Sequence, residues 1–230
     1  CVYSNGDSNP KYRFLDNGTW SSAANVFSGS PPGSGTVNHI RLSNLPGTDI
    51  VELAFSDSSA DLHCYTWTGT SWDTNSHHEL TNTDSLVRTN MQCFDLAHES
   101  TTGDLLIVWG LALNPDFLCH TEKSRSGVWS ANIQTAYSGD RDAAYVRLVP
   151  KPSNAYIGLG MLLEDGWLGL AVWTGSSFTS LVRNDDANAN SNSNTAGDAP
   201  VDIAWVGDDL IAVYDDKGAN NGLHWRKWTS

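Results

Sequence analysis

Residues 54–72 read AFSDSSADLHCYTWTGTSW, and residues 160–178 read GMLLEDGWLGLAVWTGSSF. Each is an apolar run, a polar turn, a second apolar run, then an aromatic, a Gly-containing turn and another aromatic. The same order, with substitutions, recurs at residues 1–20 (CVYSNGDSNPKYRFLDNGTW), 108–129 (VWGLALNPDFLCHTEKSRSGVW) and 212–230 (AVYDDKGANNGLHWRKWTS). The closing aromatics Trp20, Trp72, Trp129 and Phe178 stand 52, 57 and 49 residues apart. Internal similarity at a period of about 50 residues marks propeller blades or a solenoid, whose supersecondary units bury their faces only against neighbouring units.

A further strand-like segment leads into each unit: VNHIRLS at 37–43, QCFDLAH at 92–98, AYVRLV at 144–149 and VDIAWV at 201–206. Each unit then reads as strand, short turn, strand, short turn, strand, with a weaker fourth strand after the Trp. No stretch holds the i, i+3, i+4, i+7 apolar pattern behind a cap, so helices are not expected. The segments IVELAF (50–55), LLIVW (105–109), YIGLGML (156–162) and LIAVY (210–214) are apolar on both alternating faces, with Glu52 as their one charge. Such strands must be covered on both sides. Stacked blades supply that cover, whereas a two-sheet sandwich predicts cleaner alternation. The reading is an all-β chain, a single β-propeller domain over 1–230. Its five blades of about 50 residues have unit limits at 1–49, 50–104, 105–155, 156–209 and 210–230. The last unit stops at Trp228-Thr229-Ser230, before a Gly turn. It is therefore expected to be completed by the N-terminal segment, the rivals being an excerpt of a longer chain or strand exchange between copies.

The turns Trp67-TGTSW and Trp173-TGSSF resemble the W-x-G-x-[ST]-W turn repeated in the blades of bacterial secreted and cell-surface β-propellers. The first unit has LDNGTW at 15–20 and the third KSRSGVW at 123–129, each with the first aromatic replaced. The resemblance covers the whole chain as an architecture. Propeller lectins that place a Trp in each blade for sugar binding are a looser likeness, one of architecture. No S-x-D-x-G-x-x-W box is present, so a sialidase is not implied.

Composition narrows the function. The 230 residues are 40% hydrophobic and 17% charged, with 26 Asp plus Glu against 13 Lys plus Arg and a formal charge of −13. Because the cations are scattered, no nucleic-acid footprint is expected. Anionic membrane surfaces are disfavoured on the same ground, and no apolar run approaches the roughly 18 residues of a membrane-spanning helix. The chain opens at Cys1 without Met, read as a removed signal segment or a fragment, with lipidation of Cys1 a minor alternative. Cys1, Cys64, Cys93 and Cys119 have neither C-x-x-C spacing nor a His pair at ligand spacing. An even count in a Ser-, Thr- and Asn-rich acidic chain suggests up to two disulfides, with three connectivities open.

Six of the ten Trp sit in register: Trp20, Trp72 and Trp129 after the Gly turns, and Trp67, Trp173 and Trp228 before them or at the equivalent place. Repetition at one spot favours a structural duty over sugar stacking, because a repeat must first hold its own shape. The candidate ligand-binding residues are therefore those that break the register: Trp167 beside the acidic turn of Glu164 and Asp165, together with Trp109, Trp205 and Trp225. The other acidic turns, Asp57 with Asp61 and Asp215 with Asp216, do not match a calcium loop and read as solvated turn formers, so no metal and no cofactor are expected. The polar tract at 184–198 reads as a surface loop. No G-x-S-x-G, H-E-x-x-H, phosphate loop or dinucleotide fingerprint occurs, and the tandem His77-His78 points to opposite faces of a strand, so no catalytic residue is assigned. The function expected is a non-enzymatic adhesion or recognition module, extracellular or at the cell surface. It would take a glycan or protein ligand, with assembly into a homo-oligomer or filament through unpaired terminal strands. The alternatives are a secreted glycoside hydrolase or lyase using acids gathered at the propeller axis, and a purely structural spacer.

Overall fold

The computed structural model describes residues 1–29, 33, 35–81, 86, 89–112, 117–136, 143–163, 167–184, 201–215 and 223–229. Its named elements are all β-strands, joined antiparallel in every pairing. No helix among the described residues is long and apolar enough to cross a membrane. The chain divides into two units, residues 1–85 and 86–230.

The first unit opens with five two-residue strands: β1 (Val2–Tyr3), β2 (Lys11–Tyr12), β3 (Leu15–Asp16), β4 (Thr19–Trp20) and β5 (Ala24–Asn25). β1, β2 and β5 form one small sheet, and β3 pairs with β4 as a hairpin. The hairpin turns through Asn17 and Gly18 at φ 46° and 80°, two consecutive left-handed residues as in a type I′ turn. A four-stranded sheet follows in chain order: β6 (Val37–Asn44), β7 (Val51–Asp57), β8 (Leu62–Trp67) and β9 (Trp72–Glu79). From Glu52 onward β7 is buried residue after residue, as its two apolar faces require. Leu53, Phe55 and Tyr65 pack with Val26, Phe27 and Val37, and the Phe27 ring stacks 5.4 Å from that of Tyr65. Glu52 is buried within this sheet and accepts hydrogen bonds from Thr66 Oγ1 (3.0 Å) and Cys64 Sγ (3.8 Å).

The second unit holds three sheets, each a meander in chain order. β10 (Phe94–His98), β11 (Leu105–Gly110), β12 (Phe117–Lys123) and β13 (Ile133–Ala136) make the first. β14 (Ala143–Pro150), β15 (Ile157–Leu163), β16 (Leu168–Trp173) and β17 (Val182–Asn184) make the second. β18 (Val201–Val206), β19 (Asp209–Asp215) and β20 (Leu223–Trp228) make the third, with three strands among the described residues. Apolar cores fill the gaps between consecutive sheets. Leu106, Val108 and Leu118 meet Val146, Leu159 and Met161, while Leu162, Leu170 and Val172 meet Ile203, Leu210 and Tyr214. Two strand glycines permit the second contact, because a Cβ on Gly158 would lie 2.5 Å from Leu210 Cδ1 and one on Gly160 2.6 Å from Ile203 Cγ2. The three leading strands are tied together by charge. Arg147 on β14 lies 3.6 Å from Asp95 on β10 and 3.0 Å from Asp202 on β18, and Leu148 N–H donates to Asp95 Oδ2 at 2.9 Å.

Four sheets thus start at a leading segment (37–44, 94–98, 143–150, 201–206), and in the first three of these the Gly-turn hairpin comes later in the same sheet, so sheet and repeat window are offset by one strand. The Gly turn recurs in closely similar form. Trp67 pairs with Trp72 and Trp173 with Phe178, Thr68 N–H donates to Ser71 O and Thr174 N–H to Ser177 O, and Gly69 and Gly175 have φ of 95° and 92°. Leu15 with Trp20, and Lys123 with Trp129, occupy the same paired places where the motif is degenerate. The expected disulfides are not formed: none of the four cysteines is bridged. Cys64, Cys93 and Cys119 are each buried, and the Cys64 thiol is the one that donates to Glu52.

Candidate functional site

Two cavities open where a Gly-turn hairpin meets the sheet that precedes it. In the first unit, Tyr12, Phe14, Trp67 and Trp72 wall a cavity of about 170 Å³, completed by Val2, Leu42 and Val51 and by Arg13 and Cys1. The rings meet mostly edge to face: Tyr12 is 5.5 Å from Trp67 and 6.1 Å from Trp72, and the two indoles are 5.5 Å apart at 67°. Phe14 lies 6.4 Å from Trp67. The cross-strand pairing of Trp67 and Trp72 holds both indoles on the same side of the hairpin. Polar groups are few. Arg13 Nε donates to Ser21 O at 2.7 Å, which leaves its remaining guanidinium hydrogens directed elsewhere. The indole N–H of Trp72 is buried and has no hydrogen-bond acceptor among the described residues.

In the second unit the corresponding cavity measures about 230 Å³ and lies between the β10–β13 and β14–β17 sheets. Leu118, Leu159, Met161 and Phe178 make it apolar, and Thr135, Thr179 and Ser180 add hydroxyls. Here the first aromatic of the turn is withdrawn. Trp173 is 1% exposed and donates its indole N–H to Glu99 Oε1 at 2.9 Å. His120 packs edge-on against Trp173 and Phe178, with its Nδ1 3.3 Å from Thr135 Oγ1. Burial lowers the His120 pKa to about 4; burial, reinforced by the Lys123 charge, does the same to His98.

The candidate residues that break the register do not gather at one place. Trp109 is 1% exposed inside β11, so it presents no face to a soluble ligand: the apolar run that carries it is covered on both sides. Trp167 is half-buried against the core between the β10–β13 and β14–β17 sheets. Trp205 donates its N–H to Val149 O at 3.0 Å and lies beneath the Lys151 ammonium at 4.9 Å, a structural clamp between β14 and β18. Trp225 is 63% exposed on β20, beside the exposed Leu223. Glu164 and Asp165, Asp216, and residues 185–198 of the polar tract lie outside the described residues. The cavity walls Trp67 and Trp72 stand in the repeat register, which favours a structural duty, and no spacing in the sequence ties their turn to Tyr12 and Phe14; only the ring contacts do.

One group of side chains among the described residues has the composition and closeness of metal ligands: Asp57, Asp61 and His63, with one ligand atom from each within 4.8 Å of the others. Asp57 and His63 are each 1% exposed, contrary to the solvated turn expected at Asp57. The β7–β8 turn folds back so that Asp57 Oδ1 accepts from the N–H groups of Ser59 and Asp61, which draws the side chain inward. Burial and the neighbouring Asp57 raise the Asp61 pKa, and burial lowers that of His63 against the opposing pull of Asp57.

No family model and no curated protein matches the sequence. Solved structures do match. The lectin BP39L from Burkholderia pseudomallei superposes with a TM-score of 0.70 at 12% identity, covering 96% of this chain and 60% of that one. The fucose-specific lectin from Aleuria aurantia gives 0.61 at 14% identity, covering 99% and 69%. A protein of unknown function from Dyadobacter fermentans gives 0.58 at 11%, covering 99% and 70%. The chain therefore shares the all-β propeller fold of these lectins, while spanning between three-fifths and seven-tenths of their lengths. The likeness to W-x-G-x-[ST]-W propellers holds for fold, with no sequence family behind it.

Proposed function

We propose that the chain is a non-enzymatic glycan-recognition module working outside the cell, and that the cavity walled by Tyr12, Phe14, Trp67 and Trp72 is its sugar site. One observation carries the reading: four rings converge on a cavity of about 170 Å³ whose other walls are Val2, Leu42, Val51, Cys1 and Arg13. The C–H face of a pyranose packs on an indole, a guanidinium donates to ring and hydroxyl oxygens, and a mainly apolar concavity with a few polar groups is the usual form of a small-ligand site. The fold shared with two lectins supports the same class of ligand. The count of five blades rests on the sequence repeat and belongs to this proposal.

A glycan array probed with the whole chain, followed by tryptophan-fluorescence titration, tests it, with L-fucose first because the Aleuria lectin is fucose-specific. Saturable quenching by a glycan is expected. Trp67→Ala or Trp72→Ala should weaken binding at least about ten-fold, the loss of roughly 1.4 kcal/mol of contact, while Trp225→Ala leaves it unchanged. Loss on Trp225→Ala with retention in Trp67→Ala would move the site to β20. Absence of binding across a broad array would remove the lectin reading. Turnover of a chromogenic glycoside, abolished by one carboxylate-to-amide change, would replace it with a hydrolase.

A further inference from the structure

We propose that Asp57, Asp61 and His63, at the β7–β8 turn, form a binding site for one divalent cation of the zinc type. The carboxylates alone would not justify it, since acidic turns are ordinary. What singles out this turn is the imidazole. His63 is 1% exposed, and its Nε2 is buried without a hydrogen-bond partner among the described residues. That atom sits 3.8 Å from Asp57 Oδ2, too far for a hydrogen bond. Two donors on a tetrahedral ion, at bonds of roughly 2.0–2.2 Å, stand about 3.3–3.6 Å apart, so a small closure brings both onto one metal. A buried nitrogen facing a buried carboxylate oxygen across a gap of that width is costly while unbridged. A cation between them satisfies both.

The surroundings already orient the Asp57 carboxylate. Asp57 spends Oδ1 on the N–H groups of Ser59 (2.8 Å) and Asp61 (3.2 Å), which leaves Oδ2 toward His63. On the far side of the imidazole, His63 Nδ1 lies 3.2 Å from His77 Nε2. In the tautomer where Nδ1–H donates to His77, the Nε2 lone pair faces the carboxylates, and a hydrogen bond on the far ring nitrogen is what orients a ligating histidine. Space for an ion is kept by missing side chains. A Cβ on Gly33 would stand 2.6 Å from Asp57 Oδ2 and 3.1 Å from His63 Nε2, and one on Gly35 2.7 Å from Asp57 Oδ2. Asp61, half-buried, is the ligand nearest solvent, and water completes the shell there. One imidazole with two carboxylates suits Zn²⁺ and its neighbours; Ca²⁺ wants six to eight oxygens, and Mg²⁺ keeps most of its water.

The test uses the whole chain, stripped with a chelator and titrated with Zn²⁺ by calorimetry, with Co²⁺ absorption as the report on ligand type. One equivalent of Zn²⁺ should bind, raise Tm, and resist a large excess of Ca²⁺. Asp61→Asn and Gly33→Ala, the first removing the most exposed ligand and the second filling the ion's place, should each weaken binding ten-fold or more. Asp61→Asn should do so with the metal-free Tm unchanged. His63→Gln should abolish it, and His78→Gln should leave it intact. Failure to bind Zn²⁺ would overturn the proposal. So would binding that survives Asp61→Asn, Gly33→Ala and His63→Gln together, which would assign the zinc to other histidines.

Discussion

The hairpins at 67–72 and 173–178 share a turn and differ in everything around it. Both run Trp-Thr-Gly-x-Ser-aromatic, both close with the Thr amide on the Ser carbonyl, and both hold glycine near φ 92–95°. In the first, both indoles face a cavity shared with Tyr12, Phe14 and Arg13. In the second, Trp173 is drawn into the core by Glu99, and only Phe178 reaches the cavity. The motif therefore specifies backbone, and the preceding sheet specifies use. Where that sheet offers rings, the aromatics stay at the wall; where it offers a buried carboxylate, the indole N–H follows it inward.

The sharpest break in this comparison is Trp173→Ala, which empties a core site and strands Glu99. It should cost about 3–5 kcal/mol, seen as a large fall in urea midpoint, whereas Trp20→Ala, at a residue 50% exposed, should cost less than about 0.5 kcal/mol. Equal losses at the two would show that register alone fixes burial. Next is pH. The unfolded chain protonates His98 and His120 below about pH 6.5, but the folded chain does so only near 4. Protons therefore bind the unfolded state preferentially as pH falls from 6.5 to 4, and stability drops across that window by about 1–3 kcal/mol per histidine. His120→Gln, which keeps a polar group near Thr135, should flatten the slope measured by denaturant titration; an unchanged slope would separate His120 from the effect.

A smaller effect tests the shared turn itself. Gly69→Ala and Gly175→Ala each force an L side chain to positive φ and should cost about 1–2 kcal/mol. Gly69→Ala should be the worse of the two, because its methyl would stand 3.1 Å from Asp49 Cβ, against 3.4 Å from Ala155 Cβ at Gly175. A neutral result at either would mean that the two turns are not equivalent. The smallest expected effect is Trp225→Ala on the exposed β20, within about 0.5 kcal/mol of the parent in thermal unfolding.

Much of the fold was legible because propeller strands announce themselves locally. Apolar residues on both faces of 50–55 and 105–109 required cover on both sides, and β7 and β11 have it. Gly158 and Gly160 were visible as strand glycines, but their purpose, the approach of Leu210 and Ile203, needed the partner sheet. The disulfide expectation failed because an even cysteine count carries no distances. The site residues were harder still. Departure from register pointed to Trp109, which is core, and passed over Trp67 and Trp72, which wall a cavity, because register reports the backbone and says nothing about the neighbour.

From its sequence alone the protein was set as an all-β repeat chain with Gly-turn hairpins at fixed places, since period, turn chemistry and two-faced strands are local properties that survive any arrangement of the sheets. Tertiary structure decided which aromatic is wall and which is core, that Asp57 turns inward to meet His63, and that the cysteines stay unbridged. Those outcomes depend on what residues distant in the chain bring within a few ångströms, and one-dimensional spacing does not encode that distance.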